Sequence, residues 1–216
     1  ADFLNNFYEI TDGIQIVEDG ETLDLGDQKL TFYTTPMVHW PESMVSFEET
    51  TGTLFSQDAF GGFGALNGPI FDDEINWEFY AQETVRYYSN IVGKFSKQVQ
   101  AALKKLGGLD IKMICPVHGP IWRDNPGKIV DLYDRLSRYE SEEGVVIVYG
   151  TMYGNTEVMA ETIARTLAEE GIKNIIVHDV SKTHNSYILT DIWQYRGLIL
   201  GSCTYNNYLF PYMHNL

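Results

Sequence analysis

VVIVYGTMYGNT, Val145 to Thr156, is the stretch on which the reading of this chain turns. Its first four residues, Val145 to Val148, are an unbroken apolar run, as expected of a strand buried on both faces of a parallel sheet. From Thr156 onward the apolar residues Val158, Met159, Ile163 and Leu167 recur at helical steps, and Gly171 stands where a C-terminal cap belongs. Between strand and helix, Gly150-Thr151-Met152-Tyr153-Gly154-Asn155-Thr156 offers free backbone N–H groups and the side chains of Thr151, Asn155 and Thr156. A turn of this kind at a helix N-terminus is expected to hold an anion.

Two common nucleotide loops are excluded by composition. A P-loop requires a Lys ahead of its terminal Ser or Thr, and a dinucleotide loop requires three spaced glycines; here only Gly150 and Gly154 occur, with no Lys. A loop for a single phosphate, with hydroxyls and no cation, resembles the FMN phosphate loop of flavodoxins. Downstream, the pattern predicts a strand over 174–180, a helix over 187–195 and a strand over 197–201, a βαβαβ order that implies a doubly wound parallel sheet. Ligands in such sheets lie beyond the carboxyl ends of the strands. Ser202, Cys203, Thr204, Tyr205 and Asn206 fall there, in a second loop that runs on to Tyr208 and combines small hydrogen-bonding groups with the aromatic cover an isoalloxazine ring needs.

Upstream, the first third is strand-like: 13–17, 30–34, and 44–47 turning back through Glu48 to Gly52 into 53–55. Gly61, Gly62 and Gly64 interrupt, and 69–76 reads as an acidic loop. A helical composition then runs from Trp77 to Leu106, and Gly107 and Gly108 stop it. A short strand over 111–115 leads into Pro116-Val117-His118-Gly119-Pro120, and Pro126 opens a helix that packs through Ile129, Leu132, Leu136 and Tyr139. The charged segment RYESEEG, Arg138 to Gly144, reads as a linker, dividing the chain into residues 1–140 and 141–216.

The whole chain has 216 residues, 44% of them hydrophobic, and a formal net charge of −15. That is enough apolar material for two small cores, and a balance that disfavours nucleic acid or an anionic membrane as partner. Cys115 and Cys203 lack metal or redox spacing, which fits a reducing, cytoplasmic setting. No apolar run reaches the roughly 18 residues of a membrane span, so no membrane partner is expected.

In the first part, His39 in MVHWPESM, Asp58 in FSQDAFGG and His118 in CPVHGP stand at strand ends or in loops. Imidazole and carboxylate are ligands that iron, manganese and zinc accept, and a carboxylate can bridge two ions. Their order and intervals, followed by a flavodoxin start, resemble the second half of the ligand set of flavodiiron proteins. The strings HWPESM, SQDAFG, CPVHGP, YGTMYGNTE and TYNNYLFP match that family's character across essentially the whole chain.

The resemblance implies the C-terminal part of a metallo-β-lactamase-like αββα sandwich followed by the first part of a flavodoxin-like doubly wound sheet. It implies His39 and His118 as terminal ligands of two non-haem irons and Asp58 as their bridge. Thr151, Met152, Tyr153, Gly154, Asn155 and Thr156 would hold the phosphate of FMN, with Ser202, Cys203, Thr204, Tyr205 and Asn206 at its ring. It further implies reduction of O2 to water or NO to N2O, rubredoxin or a similar carrier as electron donor, and a head-to-tail homodimer. The family's H-x-E-x-D ligand cluster does not occur here, and only three flavodoxin strands are expected, so the chain is read as an internal piece of a longer polypeptide. The alternatives are a metallo-β-lactamase-type hydrolase joined to an FMN module, and an electron carrier whose first domain is a metal-free scaffold.

Overall fold

A computed structural model describes residues 2–216. Strands β1 (Thr22–Asp24), β2 (Lys29–Thr34), β3 (Met44–Glu48), β4 (Thr53–Gln57) and β5 (Met113–Pro116) form one sheet in that order. Neighbours are antiparallel except β5, which lies parallel beside β4. Alternation along the strands sends Val45, Phe47, Leu54 and Ile114 into the core, while Phe55 stays 47% exposed on the opposite face. Helices α2 (Trp77–Tyr87), α3 (Ser96–Leu106) and α4 (Pro126–Ser137) cover the buried face. Val85, Val99, Ile129, Leu132 and Leu136 are their apolar stripes, and Trp122, fully buried, donates to the Phe60 carbonyl.

Helical structure from Trp77 to Leu106 occurs as expected, but it is not one helix. A π turn, Tyr88–Val92, and a 3₁₀ turn, Gly93–Phe95, separate α2 from α3. The wider turn lets both Tyr88 and Val92 point inward, each fully buried. The strand expected over 13–17 is absent: Gly13 and Gly20 adopt left-handed turns, Ile16 is exposed, and the strand paired with β2 is Thr22–Asp24 instead. A short helix, α1 (Asp2–Tyr8), precedes it without sequence warning. The acidic loop over 69–76 contains one 3₁₀ turn, Asp72–Glu74, clasped by Arg123. Tyr139, expected on the packing stripe of α4, is exposed and rests against Trp193.

The second sheet is parallel, in the order β7-β6-β8, with β6 spanning Glu142–Gly150, β7 Ile175–Asp179 and β8 Tyr195–Ser202. Helix α5 (Asn155–Glu169) packs on Ile147 and Tyr149, and α6 (Asn185–Gln194) on Val146 and Val148, so the central strand is buried on both sides as its composition requires. Gly171 ends α5 at φ +94°, with the Ile172 N–H donating to the Leu167 carbonyl. Val158 and Met159, expected to pack, are exposed; Ala160, Ile163, Ala164 and Leu167 form the inner stripe. The linker is shorter than its charge pattern indicates, because β6 begins at Glu142, paired with Tyr195 across a bulge. Helix α6 starts at Asn185, two residues earlier than expected, since the His184 ring accepts from the Ser186 N–H as its cap. The loop after β8 is a tight hairpin, β9 (Thr204–Tyr205) and β10 (Tyr208–Leu209), turning on Asn206 and Asn207 with positive φ, and α7 (Pro211–His214) follows it.

Helix α6 joins the two sheets. The Arg86 guanidinium lies between the Phe63 ring at 4.6 Å and the Tyr187 ring at 4.7 Å, and pairs with Glu83. Asn90 donates to the Ser186 carbonyl at 3.1 Å, and Trp193 to that of Leu136 at 3.3 Å.

Candidate functional site

The first site follows from strand direction. Because β4 and β5 are parallel, their carboxyl ends are neighbours, and Asp58 and His118 fall just beyond them, tied by the Val117 N–H donating to the Gln57 carbonyl at 2.9 Å. The end of β2 lies at the same edge of the sheet, and the turn from Thr35 to Ser43 that leaves it carries His39. That turn is held by its own backbone, with Thr35 N–H donating to Ser43 at 2.8 Å and Met37 N–H to Trp40 at 2.7 Å. Gly61 lies against the carbonyl oxygens of Asp58 and His118, where a Cβ would stand 3.0 and 3.1 Å from them, so the two loops meet backbone to backbone.

These placements bring His39, Asp58 and His118 together. The Asp58 carboxylate sits between the rings, Oδ2 at 3.4 Å from His39 Nε2 and Oδ1 at 3.2 Å from His118 Nε2. Among the described residues no three His, Cys, Asp or Glu side chains close around a single ion. The arrangement is of another kind: one carboxylate faces two imidazoles with separate oxygens, the donor set of a bridge with one terminal nitrogen on each side. A cavity of about 460 Å³ opens over Asp58, lined by Phe3, Phe7, Trp40, Gln57 and Val117. Trp40 also borders a second cavity of about 460 Å³ beside His39. Beneath the trio, burial first and the charge of Asp58 second push the Tyr87 phenol well above its ordinary range, so it remains protonated.

The second site is formed where β6 and β8 end side by side. Gly154 adopts φ +85° ahead of α5, and its N–H donates to Thr151 Oγ1 at 3.0 Å, curling the loop around the helix N-terminus. No side chain caps that terminus. No Lys or Arg occurs from Gly144 to Ala164, so the loop offers amides, hydroxyls and the helix dipole alone, which suits one phosphate dianion. The Tyr149 hydroxyl meets Glu157 at 3.1 Å, and burial, with Glu157, raises the phenol to about 12.

The two loops touch. Cys203 N–H donates to the Gly150 carbonyl at 3.1 Å, and a Cβ on Gly201 would contact the Thr156 methyl. Met152 and Tyr153 are exposed on the phosphate loop, and Thr204, Tyr205 and Asn206 are exposed on the hairpin. Ser202 differs in orientation from the other candidates: its hydroxyl donates to the Cys203 carbonyl and accepts from Phe210 N–H, so it braces the hairpin. The sequence reading missed Arg86, which lies between Phe63 and Tyr187, and Tyr87, which packs against His118; only their chain neighbourhood to a helical stripe was legible.

Residues 1–119 match the family described as ODP family beta lactamase, and residues 147–213 match the flavodoxin family. Among curated proteins, the chain is 37% identical over 200 residues to an anaerobic nitric oxide reductase flavorubredoxin of Escherichia coli O1:K1 / APEC, covering 91% of this chain and 42% of that protein. Among solved structures, it superposes on rubredoxin oxygen:oxidoreductase from Desulfovibrio gigas with a TM-score of 0.94 at 33% identity, covering 99% of this chain and 54% of that one. The flavodiiron protein of Giardia intestinalis gives a TM-score of 0.94 at 28% identity over 99% of this chain and 53% of its own. The chain thus spans about half the length of the relatives it matches.

Proposed function

Since this chain belongs to the flavodiiron proteins, carrying their β-lactamase-like and flavodoxin parts in that order, we propose that it serves the reduction of O2 to water or of NO to N2O, with electrons entering through FMN and used at two irons. The observation that carries this reading is the Asp58 carboxylate, which divides its two oxygens between His39 and His118 at the carboxyl edge of the first sheet. One relative is named for nitric oxide and the other for oxygen, which supports the choice of these two gases.

When bound, the flavin would supply electrons singly or in pairs and the irons would supply the site at which a diatomic gas is reduced. His39 and His118 would hold the metal through their Nε2 atoms, and Asp58, whose two oxygens face the two rings, would hold it by its negative charge. Trp40, Phe3 and Phe7 give the open cavity over Asp58 an apolar wall, beside the polar Glu42 and Ser43. In the other module Thr151, Gly154, Asn155 and Thr156 bind the phosphate through amides and hydroxyls. Met152, Tyr153, Cys203, Thr204, Tyr205 and Asn206 flank the ring, and Ser202 holds the hairpin that presents them.

We place the module boundary at residues 140 and 141, supported by the short charged segment between α4 and β6. A rubredoxin-like donor is the partner indicated by the name of the D. gigas relative. A head-to-tail pairing of two copies would set the exposed hairpin and phosphate loop of one against the cavity edge of the other. Among the described residues no helix is long and apolar enough to cross a membrane. The protein bearing this chain should carry one FMN and two irons per chain and consume O2 or NO when given a reduced carrier; zinc in the site with no gas consumption would refute the assignment.

A further inference from the structure

Tyr87 closes α2 with its ring edge-on to Phe63 at 5.2 Å and tilted against His118 at 5.8 Å. It is 4% exposed, and its hydroxyl makes no hydrogen bond of regular geometry, although the Asp58 carboxylate lies within its influence. Buried hydroxyls almost always find one, because an unmet polar group in a dry core is destabilising. The other tyrosines of this core obey the rule: Tyr80 donates to the Ala65 carbonyl at 2.8 Å, Tyr133 to that of Gly61 at 3.0 Å, and Tyr88 lies 3.0 Å from Ser96 Oγ. Tyr87 is the exception among them, and the charged group that faces it is Asp58.

Asp58 explains what the spare donor is for. Its oxygens are faced by His39 Nε2 and His118 Nε2 at 3.4 and 3.2 Å. An imidazole nitrogen that holds a metal carries no proton, so neither ring can then donate to the carboxylate. The carboxylate is left to be oriented by another donor, and second-shell donors of this kind fix the direction of a ligating carboxylate. We propose that Tyr87 is a positioning residue whose hydroxyl donates to Asp58 and fixes that carboxylate when His39 and His118 hold metal. This rests on the metal-site reading above. It assigns to the hydroxyl a role for which the metal-free fold bears a stability loss.

Two variants separate this from a structural role. Thr84, one turn earlier on α2, also has a fully buried hydroxyl without a partner, but it faces Gly62 rather than a carboxylate. For wild type, Tyr87→Phe and Thr84→Val, urea unfolding is measured on the metal-free protein, and competition with the chelator ferrozine on the Fe(II)-loaded protein. Tyr87→Phe should unfold at the same or a higher urea concentration, yet lose iron affinity about tenfold or more. Thr84→Val should unfold likewise, with iron affinity within about twofold of wild type. A lower unfolding midpoint for Tyr87→Phe would mean its hydroxyl has a structural partner and overturns the inference, as does unchanged iron affinity. A wild-type protein that takes up no iron overturns the metal-site reading itself.

Discussion

Gly93→Ala tests how tightly the two modules are joined. Gly93 is buried in the 3₁₀ turn ahead of α3, and a Cβ there would stand 2.5 and 2.7 Å from the six-membered ring of Trp193. That ring has no free direction: it packs on Tyr88 at 5.7 Å and Tyr139 at 5.4 Å, and its Nε1–H donates to the Leu136 carbonyl. One favourable term meets two unfavourable ones. Alanine favours the right-handed turn, φ −54° and ψ −37°, by about 1 kcal/mol over glycine. Overpacking disfavours it by about 1–3 kcal/mol, and loss of the indole hydrogen bond adds about 1 kcal/mol. The net expectation is a destabilisation of about 1–3 kcal/mol, or roughly 2–4 °C of melting temperature per kcal/mol for a chain of this size. Replacing Trp193 with Leu removes the obstacle, so in that background Gly93→Ala should be neutral or stabilising. Thermal unfolding of the four proteins of this cycle, followed by far-UV circular dichroism, reads the coupling. A neutral or stabilising Gly93→Ala with Trp193 in place would refute the argument that the indole is wedged at the junction.

Three further outcomes follow from the sites. Gly150→Ala would drive a Cβ to 2.5 Å from Phe210 and 2.9 Å from Met213, so FMN titration should show weakening of about tenfold or more as the hairpin is displaced. Asp58→Asn keeps the shape but removes the trio's one negative charge and replaces a donor oxygen with an amide nitrogen, and iron content by metal analysis should fall below one per chain. Glu48, buried, accepts from the N–H groups of Thr50 and Thr51 and from the Thr51 hydroxyl, and the hydroxyl above all holds its carboxyl at about 2 against an ordinary 4.5. A depressed carboxyl stabilises the fold fully above the unfolded value and loses that contribution as pH falls towards the folded one. The stability read from unfolding curves should therefore fall less between pH 4.5 and 2 for Glu48→Gln than for wild type.

How much was legible in the sequence differed between the two sites for a physical reason. The phosphate loop is local: strand, turn and helix start lie within Val145 to Thr156, and each leaves a pattern of its own. The second loop was placed correctly at a strand end, yet its contact with Gly150 arises from the pairing of β6 with β8, and its hairpin turns on two asparagines rather than a glycine. His39, Asp58 and His118 are dispersed in the chain, and no spacing rule brings them together; resemblance alone marked them as a set. Arg86 and Tyr87 carried no signal, because the partners that give them meaning are distant: Tyr187 and Ser186 for one, Asp58 and His118 for the other. The absent strand over 13–17 shows the converse, apolar residues with β propensity but no neighbouring strand to pair with.

The parallel pairing of β4 with β5 sets an order of assembly. Thr53 meets Met113 only after the segment holding α2 and α3 has folded between them, whereas β2, β3 and β4 join through short turns. Long-range pairings of this kind form late, because a large loop must close before any contact rewards it. Asp58 and His118 therefore become neighbours in one of the last steps, when β5 docks. A partly folded chain holds the carboxylate and that imidazole apart, so iron added during refolding should leave the rate of collapse unchanged and bind only in the final kinetic phase.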